Sequence, residues 1–101
     1  MYILVTYDIA TTDPKGVTRL RRVAKHCRNY GQRVQNSVFE CKINSAELAQ
    51  LKANLLNCID EEKDSLRIYY LGNEKRFKVE HYGTKNSFDL EKVVIISELS
   101  S

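Results

Sequence analysis

The order of the predicted elements indicates an α+β domain. The chain opens with an apolar strand, and two helical patterns then flank a long extended stretch. A hairpin and a short last strand follow, an order typical of α+β folds. The 101 residues, 43% of them apolar, suit a single domain, 1–101. A domain of this length has a small core, so we expect a partner subunit to contribute to its stability.

The first strand is predicted at residues 2–8, with the sequence YILVTYD. β-branched and aromatic side chains favour a pleated surface, and neither alternating set of positions is strongly polar. This pattern indicates a central strand that is covered on both faces. The strand ends at Asp8, and a loop leads from there into an arginine-rich helix. We therefore expect an acid to lie beside a basic surface.

The first helix has clear start and stop signals. Asp13 can cap free backbone N–H groups, Pro14 suits the first helical position, and Gly31 marks the end. Apolar residues recur with helical spacing at Leu20, Val23, Ala24 and Cys27. Arg19 and Arg22 fall off this stripe, so we expect their side chains to point outward.

Residues 14–39 contain no acidic side chain. The cations of this segment are Lys15, Arg19, Arg21, Arg22, Lys25, Arg28 and Arg33. Such a cluster is typical of a surface that binds phosphates. The alternative is an ordinary solvated helix face, and the pattern alone leaves both interpretations open.

The rest of the chain continues the alternation of strands and helices. Residues 32–43 are extended, as one bent strand or two short ones, and Asn44 with Glu47 fits a capping box at the start of a second helix. The inner stripe of that helix is Leu48, Leu51, Leu55, Cys58 and Ile59. The acidic turn 60–64 is interpreted as a solvated loop. Strands at 66–71 and 77–82 form a hairpin, and a last strand at 93–96 is free to join its own sheet or a partner's.

Asp8 is the first candidate for metal-dependent chemistry. One protein carboxylate supplies too few ligands to hold Mg²⁺ by itself. A metal site therefore requires a two-fold dimer that brings two copies of Asp8 together. The alternative role for Asp8 is to cap a turn. The remaining catalytic candidates are weaker. Neither His26 nor His81 has a carboxylate or nucleophile at a spacing typical of a catalytic site, and Ser37 is not part of a GxSxG motif. Tyr7 and Phe39 suit either base stacking or the core.

The three cysteines, Cys27, Cys41 and Cys58, are odd in number and show no metal-ligand spacing. We interpret them as reduced core residues rather than as a zinc site or a disulfide. No signal peptide precedes the first strand, and no apolar run reaches the length of a membrane span. These features predict a cytoplasmic protein that does not contact a membrane.

Several segments together resemble the CRISPR-associated protein 2 family, the small partner of the CRISPR integrase in spacer acquisition. They are the Tyr7-Asp8 strand end, the arginine helix, and the sequences RVQNSVFE at 33–40, DSLRIY at 64–69 and KVEHYG at 78–83. The resemblance implies a ferredoxin-like fold, an antiparallel sheet with two helices on one face. It also implies a homodimer, in which a core at 1–83 is followed by a strand at about 90–98 that crosses to the other subunit.

The resemblance further implies a function and a site. Asp8 corresponds to the family's metal-binding and catalytic aspartate, two copies of which hold Mg²⁺, with Mn²⁺ as a substitute. The residues that the resemblance implies in nucleic-acid binding are Tyr7, Arg19, Arg22, Arg33, Ser37 and Phe39, to which the acid-free basic segment adds Arg28. Two activities follow: an endonuclease acting on RNA or DNA, or a non-catalytic scaffold that holds duplex DNA between integrase dimers. A third hypothesis, a small-molecule regulatory domain, has no supporting motif.

Overall fold

The computed structural model describes residues 1–72 and 78–84. This part of the chain forms five strands and two helices. Their bounds are β1 Tyr2–Asp8, α1 Pro14–Tyr30, β2 Gly31–Gln35, β3 Val38–Lys42, α2 Ser45–Cys58, β4 Ser65–Leu71 and β5 Lys78–Gly83. The α+β prediction is therefore confirmed.

The strands form one antiparallel sheet in the order β2-β3-β1-β4-β5, with β1 in the centre. Val5 of β1 lies opposite Phe39 on one side and Ile68 on the other. The extended stretch that the sequence left open supplies two strands, since β2 and β3 pair with each other and shift register between Arg33 and Gln35. This arrangement satisfies the ferredoxin-like topology. The predicted hairpin is also present, as β4 pairs with β5.

Both helices pack on the same face of the sheet. The main core contains Ile3, Val5 and Tyr7 of β1 together with buried residues of both helices. The helical members are Val23, Ala24, Cys27, Leu48, Leu51 and Leu55. Strand residues of the other parity point to the opposite face, where Leu4, Val38 and Tyr69 form a second cluster. Strand β1 is therefore buried on both faces, as its sequence predicts.

The helix ends use the residues that the sequence predicts. Asp13 Oδ1 accepts a hydrogen bond from Gly16 N at 2.8 Å. Asn44 and Glu47 form a reciprocal capping box with distances of 2.8 and 3.0 Å. Gly31 ends α1 in an extended conformation, with φ −158°. A Cβ at Gly31 would collide with Cys41 Sγ and with the Glu40 carbonyl, so a close approach of strand β3 requires glycine here.

The last strand predicted at 93–96 and its crossing to a second subunit lie outside the described residues, and so do residues 73–77. Within the described part of the chain, neither helix is long and apolar enough to cross a membrane.

Replacing the α2 cap tests the predicted capping box. In Asn44→Ala the N–H of Glu47 loses its acceptor, and we expect the free energy of unfolding to fall by about 1 kcal/mol. Urea denaturation measures this change as a lower midpoint with an unchanged slope. Asn57→Ala, an exposed position near the other end of the helix, is the control. Equal losses in the two variants would contradict the role of the cap.

Candidate functional site

Asp8 ends the central strand, where its Cα pairs with that of Ser65 on β4. Successive strand residues point to opposite faces, so Asp8 shares the face of Leu4, away from the helices. The residue is partly exposed. Within residues 1–72 and 78–84 its carboxylate makes no hydrogen bond or ion pair, so a turn-capping role is not observed. The described part of β1 therefore ends on an unpaired acid.

The preceding residue points the other way. Tyr7 belongs to the main core under the helices, and its backbone N–H donates to Ser37 O at 3.1 Å. The acid and the arginine helix thus lie on opposite faces of the sheet. Our expectation that Asp8 lies beside the basic surface of α1 is wrong in this respect, because the strand alternation separates the two.

The cations of α1 and β2 line a groove with a volume of about 450 Å³. The lining residues are Tyr7, Leu20, Arg21, Ala24, Lys25, Arg28, Arg33, Asn36 and Ser37. Four of them are cationic, and no acid is among them. The groove therefore unites four predicted contact residues, Tyr7, Arg28, Arg33 and Ser37. Its charge suits a phosphate backbone.

The two predicted aromatic residues lie beneath this groove. Phe39 is fully buried and Tyr7 is 3% exposed, so their interpretation as core residues is confirmed. Their rings stack with centroids 6.2 Å apart, and the Arg33 guanidinium lies 5.1 Å from the centre of the Phe39 ring. Burial raises the pKa of Tyr7 although Arg33 opposes the shift, so the phenol stays protonated and able to donate. Because Phe39 is buried, its ring is not accessible for stacking on a base in this conformation.

Arg19 does not point outward, and that expectation is wrong. Its Nε donates to Asp64 Oδ2 at 2.7 Å, and its side chain is only 14% exposed. Its Nη2 donates to Asp64 Oδ1 at 3.2 Å. Because the guanidinium has these partners within the chain, a nucleic-acid contact by Arg19 stays a prediction without geometric support.

The partner of Arg19 corrects a second expectation. Asp64 lies in the acidic turn that the sequence presents as solvated, yet it is completely buried. Its carboxylate also accepts from Ala10 N at 3.0 Å and Asp60 N at 2.8 Å. Burial alone would raise the pKa of Asp64, but the hydrogen bonds from Arg19 and the two amides hold it below its ordinary value. The solvated-loop interpretation holds for Glu61, Glu62 and Lys63, which are exposed.

Arg22 is exposed and lies outside the groove. Its charge opposes the rise in the pKa of the Cys58 thiol, which places it on the side of α1 that faces α2. A contact from Arg22 to nucleic acid stays a prediction.

The cysteines are free thiols. Burial raises the pKa of Cys27 to about 12 and that of Cys41 to about 11, so both remain protonated at neutral pH. Within residues 1–72 and 78–84, no three His, Cys, Asp or Glu side chains cluster as metal ligands. The core interpretation of Cys27 and Cys41 is confirmed, while Cys58 is half-buried.

His81 acquires polar neighbours that the sequence does not indicate. Its Nε2 lies 3.4 Å from Ser65 Oγ and 3.2 Å from Thr84 O. Ser65 is also the strand partner of Asp8. A histidine and a serine therefore neighbour the acid on the same sheet face.

Sequence reasoning missed two groups of residues. Arg21 and Lys25 line the groove together with the predicted Arg28, at helical spacing i, i+4 and i+7, and this periodicity would have identified them. No sequence pattern identifies Asp64 as buried. An acid within an acidic turn is expected to be solvated, and only the structure shows its partner Arg19 on α1.

The fold defines a small α+β domain that carries a cationic groove, and comparison with known proteins identifies its family. Residues 1–79 match the family described as CRISPR associated protein Cas2. The chain belongs to this family.

Relatives of the chain cover almost its whole length. It is 60% identical to CRISPR-associated endonuclease Cas2 of Halalkalibacterium halodurans, over 94% of this chain and 99% of the relative. It is 53% identical to CRISPR-associated endoribonuclease Cas2 of Nitratidesulfovibrio vulgaris, over 95% of this chain and 94% of the relative. The crystal structure of Streptococcus pyogenes Cas2 at pH 6.5 is 57% identical and superposes with a TM-score of 0.67, covering 71% of this chain and 87% of that one.

Acid titration tests the buried ion pair. The pKa of Asp64 is lowered in the folded state, so its stabilising contribution is present above the unfolded pKa and is lost as the pH falls through the folded pKa. At neutral pH we expect Asp64→Asn to lose about 3 kcal/mol of unfolding free energy. The difference from wild type should shrink between about pH 5 and pH 2.

Urea denaturation across this pH range measures the effect. Glu61→Gln removes one negative charge from an exposed position of the same turn and is the control. A difference between wild type and Asp64→Asn that stays constant with pH would contradict the proposed ionisation of Asp64.

Proposed function

We propose that this protein is a Mg²⁺-dependent endonuclease that acts as a homodimer on phosphodiester bonds of RNA or DNA. The observation that carries the proposal is the Asp8 carboxylate at the end of the central strand, which no residue in the described part of the chain pairs with. The names of the relatives, an endonuclease and an endoribonuclease, support the reaction class. Membership of the family supports a place in CRISPR adaptation alongside the integrase.

The dimer follows from the number of ligands. Asp8 supplies one hard oxygen ligand, and the described residues of one chain supply no cluster to complete the site. Mg²⁺ takes one or two carboxylates and fills its other positions with water and substrate oxygens. A two-fold axis near Asp8 brings the same residue from each subunit together. Neither helix of the described residues packs on the face to which Asp8 belongs, which favours this approach.

The donor set therefore fits Mg²⁺ only as half of a shared site, and two Asp8 residues would hold the ion, or Mn²⁺ in its place. When bound, the ion would polarise the scissile phosphodiester and lower the pKa of the attacking water. The chain's own residues supply the position. Strand β1 fixes the backbone position of Asp8 at the end of the sheet, and pairing with Ser65 fixes the register of β1 against β4.

The groove binds the nucleic-acid backbone. Arg21, Lys25, Arg28 and Arg33 present positive charge on one surface, while Ser37 and Asn36 offer polar groups at its end. Contacts of this kind hold phosphates without reading base sequence. The groove and Asp8 lie on opposite faces, so a bound strand must pass around the end of the sheet to reach the acid.

Removing the acid tests catalysis. In Asp8→Ala the shared site loses both carboxylates at once, and we expect Mg²⁺-dependent cleavage to fall at least about a hundredfold. Nucleic-acid affinity should stay within about twofold, because the groove is intact. A cleavage assay and a binding titration on the purified dimer measure the two effects. Glu61→Ala, which removes an exposed acid elsewhere, is the matched control. Unchanged cleavage by Asp8→Ala would show that Asp8 is not catalytic.

A second function is favoured by the separation of the groove from Asp8. A cationic surface that does not contain the acid can hold duplex DNA without cleaving it. The protein would then act as a scaffold that bridges integrase dimers during spacer acquisition. Under this alternative, acquisition in cells survives Asp8→Ala and depends on the groove.

Charge reversal in the groove tests this alternative. We expect the variant with Arg21, Lys25 and Arg28 changed to Glu to lose duplex affinity at least about tenfold and to show a shallower salt dependence. Binding titrations at several salt concentrations and an acquisition assay in cells measure these effects. Lys42→Glu, an exposed cation of β3 at the far end of the sheet from Asp8, is the control. Full acquisition by the triple variant would rule out the scaffold.

A further inference from the structure

One buried ion pair holds the loop that follows Asp8. Ala10, two residues beyond Asp8, donates its N–H to Asp64 Oδ1 at 3.0 Å. Its carbonyl oxygen accepts from Arg19 Nη2 at 3.3 Å. Arg19 and Asp64 are themselves joined at 2.7 Å. The backbone on both sides of Ala10 is therefore fixed by the same two side chains.

The ion pair also fixes the strand beside Asp8. Asp64 directly precedes Ser65, the strand partner of Asp8. Its carbonyl oxygen accepts from Thr84 N at 2.9 Å, which ties in the end of β5. Gly83 there has φ +91°, and a Cβ at this position would collide with the Asp64 carbonyl. The loop after Asp8, the strand beside it and the end of β5 thus converge on Asp64.

We propose that Arg19 and Asp64 are positioning residues that hold the Asp8 carboxylate in the geometry needed to bind its metal ion. This inference rests on the proposed function, because it gives Asp8 a ligand role. Asp64 is fully buried and Arg19 nearly so, which makes both unsuitable as substrate contacts. A site whose supporting groups are loose by 1 Å loses much of its activity. Among residues 1–72 and 78–84, no cluster of further metal ligands surrounds Asp8 to correct such a displacement.

Two conservative variants test the positioning role in the full-length dimer. Arg19→Lys keeps the charge but removes the planar fork that reaches both Asp64 and Ala10. Asp64→Asn keeps the shape but removes the charge. We expect each to lower kcat at least about tenfold while KM stays within about twofold, since the groove contacts are untouched. Because both residues act through one contact, the double variant should be little slower than the slower single variant.

Glu80→Gln is the matched structural control. Glu80 accepts hydrogen bonds from Tyr70 and Tyr82 and pairs with Lys52 at 2.9 Å, on the helix side of the sheet. We expect it to lower the melting temperature with unchanged kcat. If Arg19→Lys also kept its kcat, or if KM rose while kcat was retained, the positioning role would be overturned, and the rise in KM would assign Arg19 to nucleic-acid contact.

Amide hydrogen exchange separates this proposal from the proposed function. Exchange of the Ala10 amide should accelerate at least about tenfold in Arg19→Lys and stay unchanged in Glu80→Gln, whether or not the protein cleaves nucleic acid. Unchanged exchange at Ala10 would overturn the positioning role alone. Full cleavage by Asp8→Ala would instead overturn the proposed function, and the exchange result would still decide whether the ion pair fixes this loop.

Discussion

The alternation of side chains along one central strand is the constraint on which the rest of this structure depends. Because β1 is paired on both edges, its residues cannot rotate, and each is assigned to one face. Tyr7 is directed into the core below the basic groove, and Asp8 is directed to the opposite face. Two adjacent residues thereby belong to two different surfaces. The candidate metal ligand therefore directly follows a residue of the candidate phosphate-binding groove in the chain. Because the two lie on opposite faces, the negative charge of Asp8 does not neutralise the cations of the groove.

The separation has an electrostatic consequence. An unpaired carboxylate inside the groove would form an ion pair with Arg28 or Arg33, and would weaken both phosphate binding and metal binding. The largely buried Arg19 instead forms its ion pair with Asp64, outside the groove. The cations of the groove, which do not include Arg19, stay available to a ligand. The two functions proposed above, cleavage and bridging of DNA, therefore assign their key residues to different faces of one small domain, so that each can be tested by separate substitutions.

The contrast between Arg19 and Arg28 shows where sequence reasoning succeeds and where it stops. Both lie on α1 in a segment without acids, and the sequence assigns both to an outward face. Arg28 does line the groove, whereas Arg19 finds an acid that is 45 residues away in the chain. Helical periodicity defines which side of a helix is apolar, but not which loop will cover its edge. The same limit applies to Asp64, whose burial depends on the approach of a helix that is distant in sequence.

By itself the sequence determined the α+β class, the central position of β1, both helix caps and the acid at the strand end, because propensity, periodicity and capping are local properties. It also determined that cations would concentrate between residues 14 and 39. Only the tertiary structure decided that the stretch after α1 forms two strands, that Phe39 is buried, and that Arg19 and Asp64 meet. These outcomes depend on contacts between segments far apart in the chain, which local patterns do not encode.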